Sequence, residues 1–309
     1  MIYTCTLNPS IDYILTVDPF TYGGLNRGTQ PNYFPGGKGI NVSRILTRLD
    51  VTQKALGFLG GFTGDFIRNA LTSEGVDHLF TEVTDATRIN LKLKGQQETE
   101  INGPGARIKD TETEAFIKQL DQLTEDDYLV LAGSLPNDLP DDFYLQIVKR
   151  LRERKVNLVL DTSSEALKKM VGEPLFLAKP NHHELGELFD VEITTKKEAI
   201  HYAKQLLDSG IKHVIISMGG DGAIYLHEDK LYQADVPEGT VINTVGAGDS
   251  TVAGFLAGID RGYTPEDAFR LAVASGSATA FTKDLATKKD METLFNLVEM
   301  KVNDYQNND

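Results

Sequence analysis

A glycine-rich turn at residues 243–250, Asn-Thr-Val-Gly-Ala-Gly-Asp-Ser, leads directly into a helix with one apolar face. Its glycines let the backbone approach an anion closely, and the N–H groups at the start of the helix point at that anion. The same turn carries a carboxylate, Asp249, which would repel a phosphate that is merely bound. An acid here is suited to take a proton from a hydroxyl while the amides stabilise charge on a phosphoryl group. The turn therefore indicates phosphoryl transfer.

A second glycine-rich turn, Pro-Gly-Gly-Lys-Gly-Ile-Asn at residues 35–41, also opens an amphipathic helix. Lys38 offers a point charge, and Asn41 can bond hydroxyl groups. Alone, this segment is equally compatible with a tight strand-to-helix turn, and its spacing fits neither a Walker A loop nor the dinucleotide fingerprint. Two such turns, both opening helices and roughly 200 residues apart, are harder to explain as turns alone.

Asn181 and Glu184 follow a strand-like segment at residues 175–178 and are three residues apart. Polar groups at the carboxyl end of a parallel strand lie where open α/β sheets bind ligands, and hard oxygen donors suit Mg²⁺ carried by a nucleotide. By themselves, residues 181–184 favour the alternative, which is that Asn181 and Glu184 form a capping box at the start of a helix.

Each of the further candidate residues gives only a weak functional signal when it is taken alone. Residues 217–222, Ser-Met-Gly-Gly-Asp-Gly, end a strand and could line a nucleotide or form the entry to a hairpin. Asp12 would stand at the mouth of the first strand, where an acid could hold sugar hydroxyls. Arg27 and Arg88 accompany two β-rich segments, although a surface arginine is usually only solvated.

The elements that must position these residues alternate between strand and helix. Strand-like segments at 128–132, 158–161, 175–178 and 214–217 are separated by helical patterns near 111–123, 141–154 and 196–209. This alternation predicts a mostly parallel sheet covered by helices. Two segments without helical period, 13–35 and 87–104, predict a small separate sheet, a candidate lid. We also expect a hairpin at 222–236 and a largely helical remainder from Asp249 onwards.

Composition limits the class of partner. The 309 residues carry a formal net charge of −14, which argues against general binding of nucleic acids or anionic membranes. The N-terminus has no signal-peptide pattern, and no run approaches the ~20 apolar residues that cross a bilayer. The length is as compatible with one large α/β domain as with two smaller ones, and we expect a cytoplasmic protein.

In their order and spacing, the motifs resemble those of ribokinase-like carbohydrate kinases of the PfkB type, over essentially the whole chain. The motifs are Asn8-Pro9 with Asp12, residues 36–41, Gly133-Ser134, Asn181 with Glu184, residues 217–222 and residues 246–249. The resemblance implies a single domain over residues 1–309. This domain is a three-layer α/β/α sandwich with a mostly parallel central sheet and a small β-sheet lid, which often mediates dimerisation. It also implies transfer of the γ-phosphoryl group of ATP, with Mg²⁺, to a sugar hydroxyl.

The resemblance assigns a role to each candidate residue. Asp249 would be the catalytic base. The amides of Gly246, Ala247 and Gly248 would form the anion hole. Asn181 and Glu184 would orient Mg²⁺ through water, and Lys179, Ser217, Gly219 and Gly222 would contact ATP. The predicted substrate-binding residues are Asp12, Gly36, Gly37, Asn41 and Ser134 for the sugar and Lys38, Arg27 and Arg88 for a phosphate that the sugar already carries.

Within the family, residues 3–9, 33–44 and 98–102 are most similar to the branch that phosphorylates fructose 1-phosphate. Kinases of tagatose 6-phosphate or fructose 6-phosphate share every catalytic motif and remain alternatives. A catalytically silent sugar-phosphate or nucleotide sensor is a different class, and it would not need Asp249, Asn181 and Glu184 together. Dependence on a monovalent cation and a homodimer through the lid are left open by the sequence.

Overall fold

A computed structural model describes residues 1–304 and contains strands and helices that alternate along most of the chain. The strands are β1 (Ile2–Thr6), β2 (Ser10–Thr16), β3 (Thr29–Gly36), β4 (Gln53–Leu59), β5 (His78–Glu82), β6 (Arg88–Lys94), β7 (Thr99–Asn102), β8 (Tyr128–Ala132), β9 (Asn157–Asp161), β10 (Leu177–Ala178), β11 (His213–Ser217), β12 (Ala223–His227), β13 (Lys230–Ala234) and β14 (Met300–Asp304). The helices are α1 (Lys38–Arg48), α2 (Gly61–Ser73), α3 (Asp110–Leu120), α4 (Phe143–Arg152), α5 (Ser164–Met170), α6 (His182–Phe189), α7 (Lys196–Asp208), α8 (Ala247–Asp260), α9 (Pro265–Ala280) and α10 (Lys288–Phe295).

The large sheet has the strand order β14-β13-β12-β11-β10-β9-β8-β1-β4-β5. Strands β1, β4, β5 and β8 to β11 run parallel, as the βα alternation predicts. The predicted hairpin is confirmed, since β12 and β13 pair antiparallel on either side of Glu228 and Asp229. The expectation of a largely helical remainder is wrong for β14, which pairs antiparallel with β13 at the sheet edge. Five mostly exposed residues give too short a pattern for a strand to be recognised.

Helices cover both faces of the large sheet and make three layers, which confirms the predicted fold. Strand β8 shows how the sheet contributes to both cores: Leu129 and Leu131 pack with α3 to α7 on one face. Val130 and Ala132 pack with α1, α8, α9 and α10 on the other face. Strands buried on both sides read as continuous apolar runs, and that is why they could be recognised from the sequence. Within residues 1–304 no helix is both long and apolar enough to cross a membrane.

The small sheet has the order β3-β2-β6-β7 and stands apart from the large one. Its strands come from the two segments without helical period, although β2 begins at Ser10, earlier than expected. Strands β2 and β6 run parallel, with Ser10 beside Arg88 and Asp12 beside Asn90. Because side chains alternate along a strand, these four residues share one side of the sheet.

Candidate active site

A cavity of about 650 Å³ lies between the small sheet and the carboxyl ends of the parallel strands. Open α/β sheets bind ligands at this edge. The starts of α1 and α8 close two sides of the cavity, so both glycine-rich turns face it. Most of the predicted site residues line it: Asp12, Gly37, Lys38, Asn41, Arg88, Ser134, Lys179, Asn181, Glu184, Ser217, Gly246, Gly248 and Asp249.

Asp249 lies in the first turn of α8 and is 5% exposed. Asn41, in α1, donates a hydrogen bond of 2.8 Å from Nδ2 to Oδ2 of Asp249. Burial, followed by the negative charge of Asp161, raises the pKa of Asp249 to about 7, against the lowering effect of Lys38 and Asn41. A carboxyl group with such a pKa is suited to accept a proton near neutral pH.

The backbone at the start of α8 presents free donors. Gly246 precedes the helix with a φ of 80°, a conformation that favours glycine. Within residues 1–304 the amides of Gly246 and Gly248 have no hydrogen-bond partner. The amide of Ala247 donates to the Thr244 carbonyl oxygen at 3.2 Å. In this conformation the free amides beside Asp249 therefore include Gly246 and Gly248 but not Ala247, whose role in an anion hole stays a prediction.

Asp161 is the main site residue that the sequence reasoning missed. It ends β9, is 2% exposed and lines the cavity. Its Oδ1 lies 3.1 Å from Nζ of Lys38 and 3.3 Å from Nζ of Lys179. Burial would raise the pKa of Asp161, but the two ammonium groups outweigh burial and lower it. Its Oδ2 is buried without a hydrogen-bond partner. The available signal was an acid that ends an apolar, parallel strand.

Lys38 lies at the centre of these charges. Burial lowers the pKa of Lys38, but the negative charges of Asp161, Asp249 and Glu184 outweigh it and raise that pKa. The ammonium group therefore stands among the acids near the start of α8. Its predicted contact with a phosphate on the sugar stays a prediction, and its surroundings are better suited to a phosphoryl group in transfer.

Asn181 and Glu184 do form the capping box that the tetrapeptide favours. The amide of Glu184 donates to Oδ1 of Asn181 at 2.9 Å, and the amide of Asn181 donates to Oε2 of Glu184 at 2.8 Å. The capping box uses one carboxylate oxygen of Glu184 and leaves the second oxygen available to a ligand. Both Asn181 and Glu184 line the cavity. Structural capping and a role in binding are therefore compatible here.

Polar residues of the small sheet and of the first loop form the opposite end of the cavity. Oδ1 of Asp12 accepts hydrogen bonds from Oγ of Ser10 at 2.8 Å and from Nδ2 of Asn90 at 3.4 Å. Arg88 donates from Nη2 to the carbonyl oxygen of Asn8 at 3.1 Å, while its Nε is buried without a partner. Ser10, Asn90 and Asn8 were not predicted as site residues. Ser10 and Asn90 can be recognised only once the strand register places them beside Arg88 and Asp12, whereas Asn8 belongs to a motif that carries no assigned role.

Ser134 extends this end of the cavity from the large sheet. It follows β8, and its Oγ accepts a hydrogen bond of 3.3 Å from Nδ2 of Asn8. Both side chains can turn a polar group towards a ligand.

Five predicted residues do not line the cavity. Arg27 is exposed in the loop between β2 and β3. Gly36 lies beneath Asp12, and a Cβ there would come within 2.6 Å of the Asp12 carboxylate. Gly219 and Gly222 form the turn that leads from β11 into β12, so the hairpin alternative describes their backbone. The fifth residue is Ala247. Their roles in binding remain predictions.

Comparison with known proteins gives a consistent picture. The pattern of the pfkB family carbohydrate kinases matches residues 5–292. The chain is 53% identical over 302 residues to the 1-phosphofructokinase of Bacillus subtilis (strain 168), covering 98% of this chain and 99% of that protein. It is 39% identical over 286 residues to the D-tagatose-1-phosphate kinase of Bacillus licheniformis, with coverage of 92% and 94%.

A solved structure gives the same result for the fold. Phosphofructokinase-2 from Escherichia coli, in complex with substrates and products, superimposes with a TM-score of 0.91 at 30% identity, covering 96% of this chain and 98% of that one. That protein also has a tetrameric inhibited form. With its cavity, its two glycine-rich turns and these similarities, the chain belongs to the pfkB family of carbohydrate kinases.

Proposed function

We propose that this kinase transfers the γ-phosphoryl group of ATP to the 6-hydroxyl of D-fructose 1-phosphate, giving ADP and fructose 1,6-bisphosphate. The observation that carries the proposal is the buried Asp249, which Asn41 holds beside the free amides of the α8 start. The identity of 53% to a 1-phosphofructokinase supports fructose 1-phosphate as the acceptor. The lower identity of 39% to a tagatose-phosphate kinase supports that alternative less.

Asp249 acts as the general base. Because Asn41 occupies its Oδ2, Oδ1 accepts the proton of the sugar 6-hydroxyl. The 6-oxygen then forms a bond to the γ-phosphorus, and the bond between that phosphorus and the leaving oxygen of ADP breaks. The free amides of Gly246 and Gly248 hold the charge of the transferred group, which is most of what a protein contributes to this reaction.

Lys38 and Lys179 supply positive charge on the nucleotide side. Lys179 is only 4% exposed. A Cβ added at Gly248 would lie 3.2 Å from Nζ of Lys179. The ammonium group of Lys179 is therefore next to the turn that binds the anion. Asp161 forms an ion pair with each lysine. Its negative charge offsets the repulsion between the two ammonium groups, so both can stay close together. We assign ATP contacts to Lys179 and Ser217, and to the turn that contains Gly219 and Gly222.

Hard oxygen atoms around the nucleotide side fit Mg²⁺. Asp161 has a buried Oδ2 without a partner, and Glu184 keeps one oxygen outside the capping box. Together with Asn181 these groups would hold the ion, directly or through water. When bound, Mg²⁺ supplies charge neutralisation on the ATP phosphates.

In this proposal Arg88 and Ser134 bind the phosphate that the sugar already carries, and Asp12 binds the sugar hydroxyls. The buried Nε of Arg88, which lacks a partner, is a donor suited to a phosphate oxygen. Arg27 does not line the cavity of its own chain, so its predicted contact needs either movement of its loop with the lid or a second subunit.

The small sheet acts as a lid and as a dimer surface in this proposal. Its side chains Tyr33, Ile89 and Ile101 are 53%, 42% and 54% exposed. An apolar cluster of this kind is typical of an interface. We expect β2, β3, β6 and β7 to gain hydrogen-exchange protection on sugar binding, and equal protection without sugar would contradict the lid. As its reaction consumes ATP, we place the protein in the cytoplasm.

A coupled assay of ADP release tests the substrate. The panel contains fructose 1-phosphate, fructose 6-phosphate, tagatose 6-phosphate, tagatose 1-phosphate and unphosphorylated fructose. We expect kcat/KM for fructose 1-phosphate to exceed that of every other sugar by at least about tenfold. A higher value for another sugar phosphate would replace the substrate, and no turnover with any of them would remove the kinase assignment.

A further inference from the structure

Lys92 is a buried cation on the cavity side of the small sheet. It lies on β6, two residues beyond Asn90, and is 8% exposed. Lysine is almost never buried to this extent unless it is paired. Lys92 does not line the main cavity, so its position is not explained by direct contact with ATP or the sugar phosphate.

The ammonium group of Lys92 stands between two carboxylates. Its Nζ lies 3.7 Å from Oδ2 of Asp12 and 3.6 Å from Oε1 of Glu100. The strand register explains both contacts: Glu100 is directly opposite Lys92 on β7, and Asp12 is diagonal to it on β2. The three side chains therefore come from three neighbouring strands of the small sheet and form one unit with it.

Within residues 1–304 Lys92 is the one cation in ion-pair contact with Asp12. The other oxygen of Asp12 accepts from two neutral donors, Ser10 and Asn90. The side chain of Asp12 is 17% exposed, so water stabilises its charge only in part. A fixed cation beside this carboxylate attracts it and favours one orientation of the side chain.

We propose that Lys92 is a positioning residue that holds the Asp12 carboxylate in the orientation that accepts hydrogen bonds from the sugar. The proposal rests on the proposed function, because it takes Asp12 as a sugar ligand. The distances of 3.6 and 3.7 Å exceed hydrogen-bond lengths. Lys92 therefore acts through its charge and leaves the lone pairs of Asp12 available to hydroxyl groups.

Lys94 is the matched control. It lies on the same strand and faces the same side, two residues further on. Unlike Lys92, it is only partly buried and makes no ion pair in the described part of the chain. Replacing either lysine by Met removes one charge and keeps a similar side-chain length.

A double-mutant cycle tests the proposal with the full chain, using Lys92→Met, Asp12→Asn and the combined variant. We expect Lys92→Met to lower kcat/KM for fructose 1-phosphate about tenfold, mainly through KM, with the KM for ATP within about twofold. In the Asp12→Asn background the same change has an effect below about twofold, because there is no carboxylate left to orient. Lys92→Arg retains most of the activity and Lys94→Met all of it.

Two results would overturn the proposal. One is a wild-type KM in Lys92→Met. The other is an equal loss in both backgrounds, which would mean that Lys92 supports the sheet or the substrate independently of Asp12. Calorimetric titration of fructose 1-phosphate gives the same cycle as a binding constant if turnover of the combined variant is too slow.

The wild-type substrate panel keeps the two proposals apart. If the enzyme prefers another sugar phosphate, the proposed function fails, and the cycle run with that sugar still decides the role of Lys92.

Discussion

Asn41 and Asp249 are 208 residues apart in the sequence, yet Nδ2 of Asn41 donates to Oδ2 of Asp249 at 2.8 Å. This bond joins the two glycine-rich turns, because Asn41 lies in the first turn of α1 and Asp249 in the first turn of α8. The bond holds one oxygen of the carboxylate, and in the proposed reaction the other oxygen accepts the proton. A residue of the predicted sugar-binding turn thereby orients the predicted base.

The pKa of Asp249 predicts the acidic limb of the pH profile. A general base must be unprotonated, and burial with the nearby charge of Asp161 raises the pKa of Asp249 to about 7. We expect kcat/KM for the sugar to fall about tenfold per pH unit below about 7, because this parameter reports groups of the free enzyme. Steady-state rates between about pH 5 and 9 measure it.

The variant Asp161→Asn shows whether this acidic limb comes from Asp249 or from ionisation of the substrates. The substrates ionise in the same way with the wild-type enzyme and with the variant. The change removes a negative charge that raises the pKa of Asp249 and leaves Lys38 and Lys179, which lower it. The limb should move to lower pH by roughly one unit, at a reduced maximal rate. An unmoved limb would mean that another group, or the substrate, sets it.

Asp249→Asn should make the protein more stable at high pH. The folded-state pKa of about 7 exceeds the ordinary value of 3.8. Between these values the unfolded chain loses a proton that the folded chain keeps, so this carboxyl lowers stability as pH rises through the window. Asparagine removes that loss, which amounts to up to about 4 kcal/mol above pH 7.

Urea unfolding at about pH 8 and about pH 4.5 checks the sign. The advantage of Asp249→Asn should be about 4 kcal/mol at the higher pH and about 1 kcal/mol at the lower one. A variant that is less stable than wild type at both values would contradict the origin of the shifted pKa.

Arg44 connects α1 to two neighbouring segments of the chain. The residue is 3% exposed and forms ion pairs with Glu74, after α2, and with Asp284, before α10. Arg44→Met removes the buried one of the two cations that contact these carboxylates, since Arg48 also pairs with both, and should lower the free energy of unfolding by about 1.5–3 kcal/mol. Arg150→Met, which breaks an exposed pair with Asp121, should cost less than about 1 kcal/mol. Equal losses would contradict the role of burial.

Arg88→Ala should raise the KM for fructose 1-phosphate about 10- to 100-fold, because it removes a charged donor from the cavity. The KM for ATP should stay near wild type. An unchanged KM for the sugar would place the phosphate pocket elsewhere. Arg27→Ala is the companion variant: a raised KM would indicate that Arg27 reaches the site in the working enzyme, whereas a wild-type KM would leave phosphate binding to the residues that line the cavity.

The sequence predicted most of the site because glycine and charge patterns are local. Both turns around Lys38 and Asp249 could be located from their glycines and the apolar helices that follow, and the strands from their apolar runs. Asp161 was missed although it ends an apolar strand, because its importance comes from strand order, which places β9 beside the strand that precedes Lys179. The conformation of a loop also depends on contacts with distant parts of the chain. The exposed position of Arg27 therefore could not be predicted from the residues next to it in the sequence.

Turnover by Asp249→Asn tests the central claim most directly. The asparagine keeps the size of the side chain but cannot accept the proton of the 6-hydroxyl. We expect kcat with ATP and fructose 1-phosphate to fall by about 10²- to 10⁴-fold. The dissociation constant for ATP, measured by calorimetry, should stay within about twofold of wild type. A wild-type kcat in this variant would contradict Asp249 as the base and, with it, the account of phosphoryl transfer at this site.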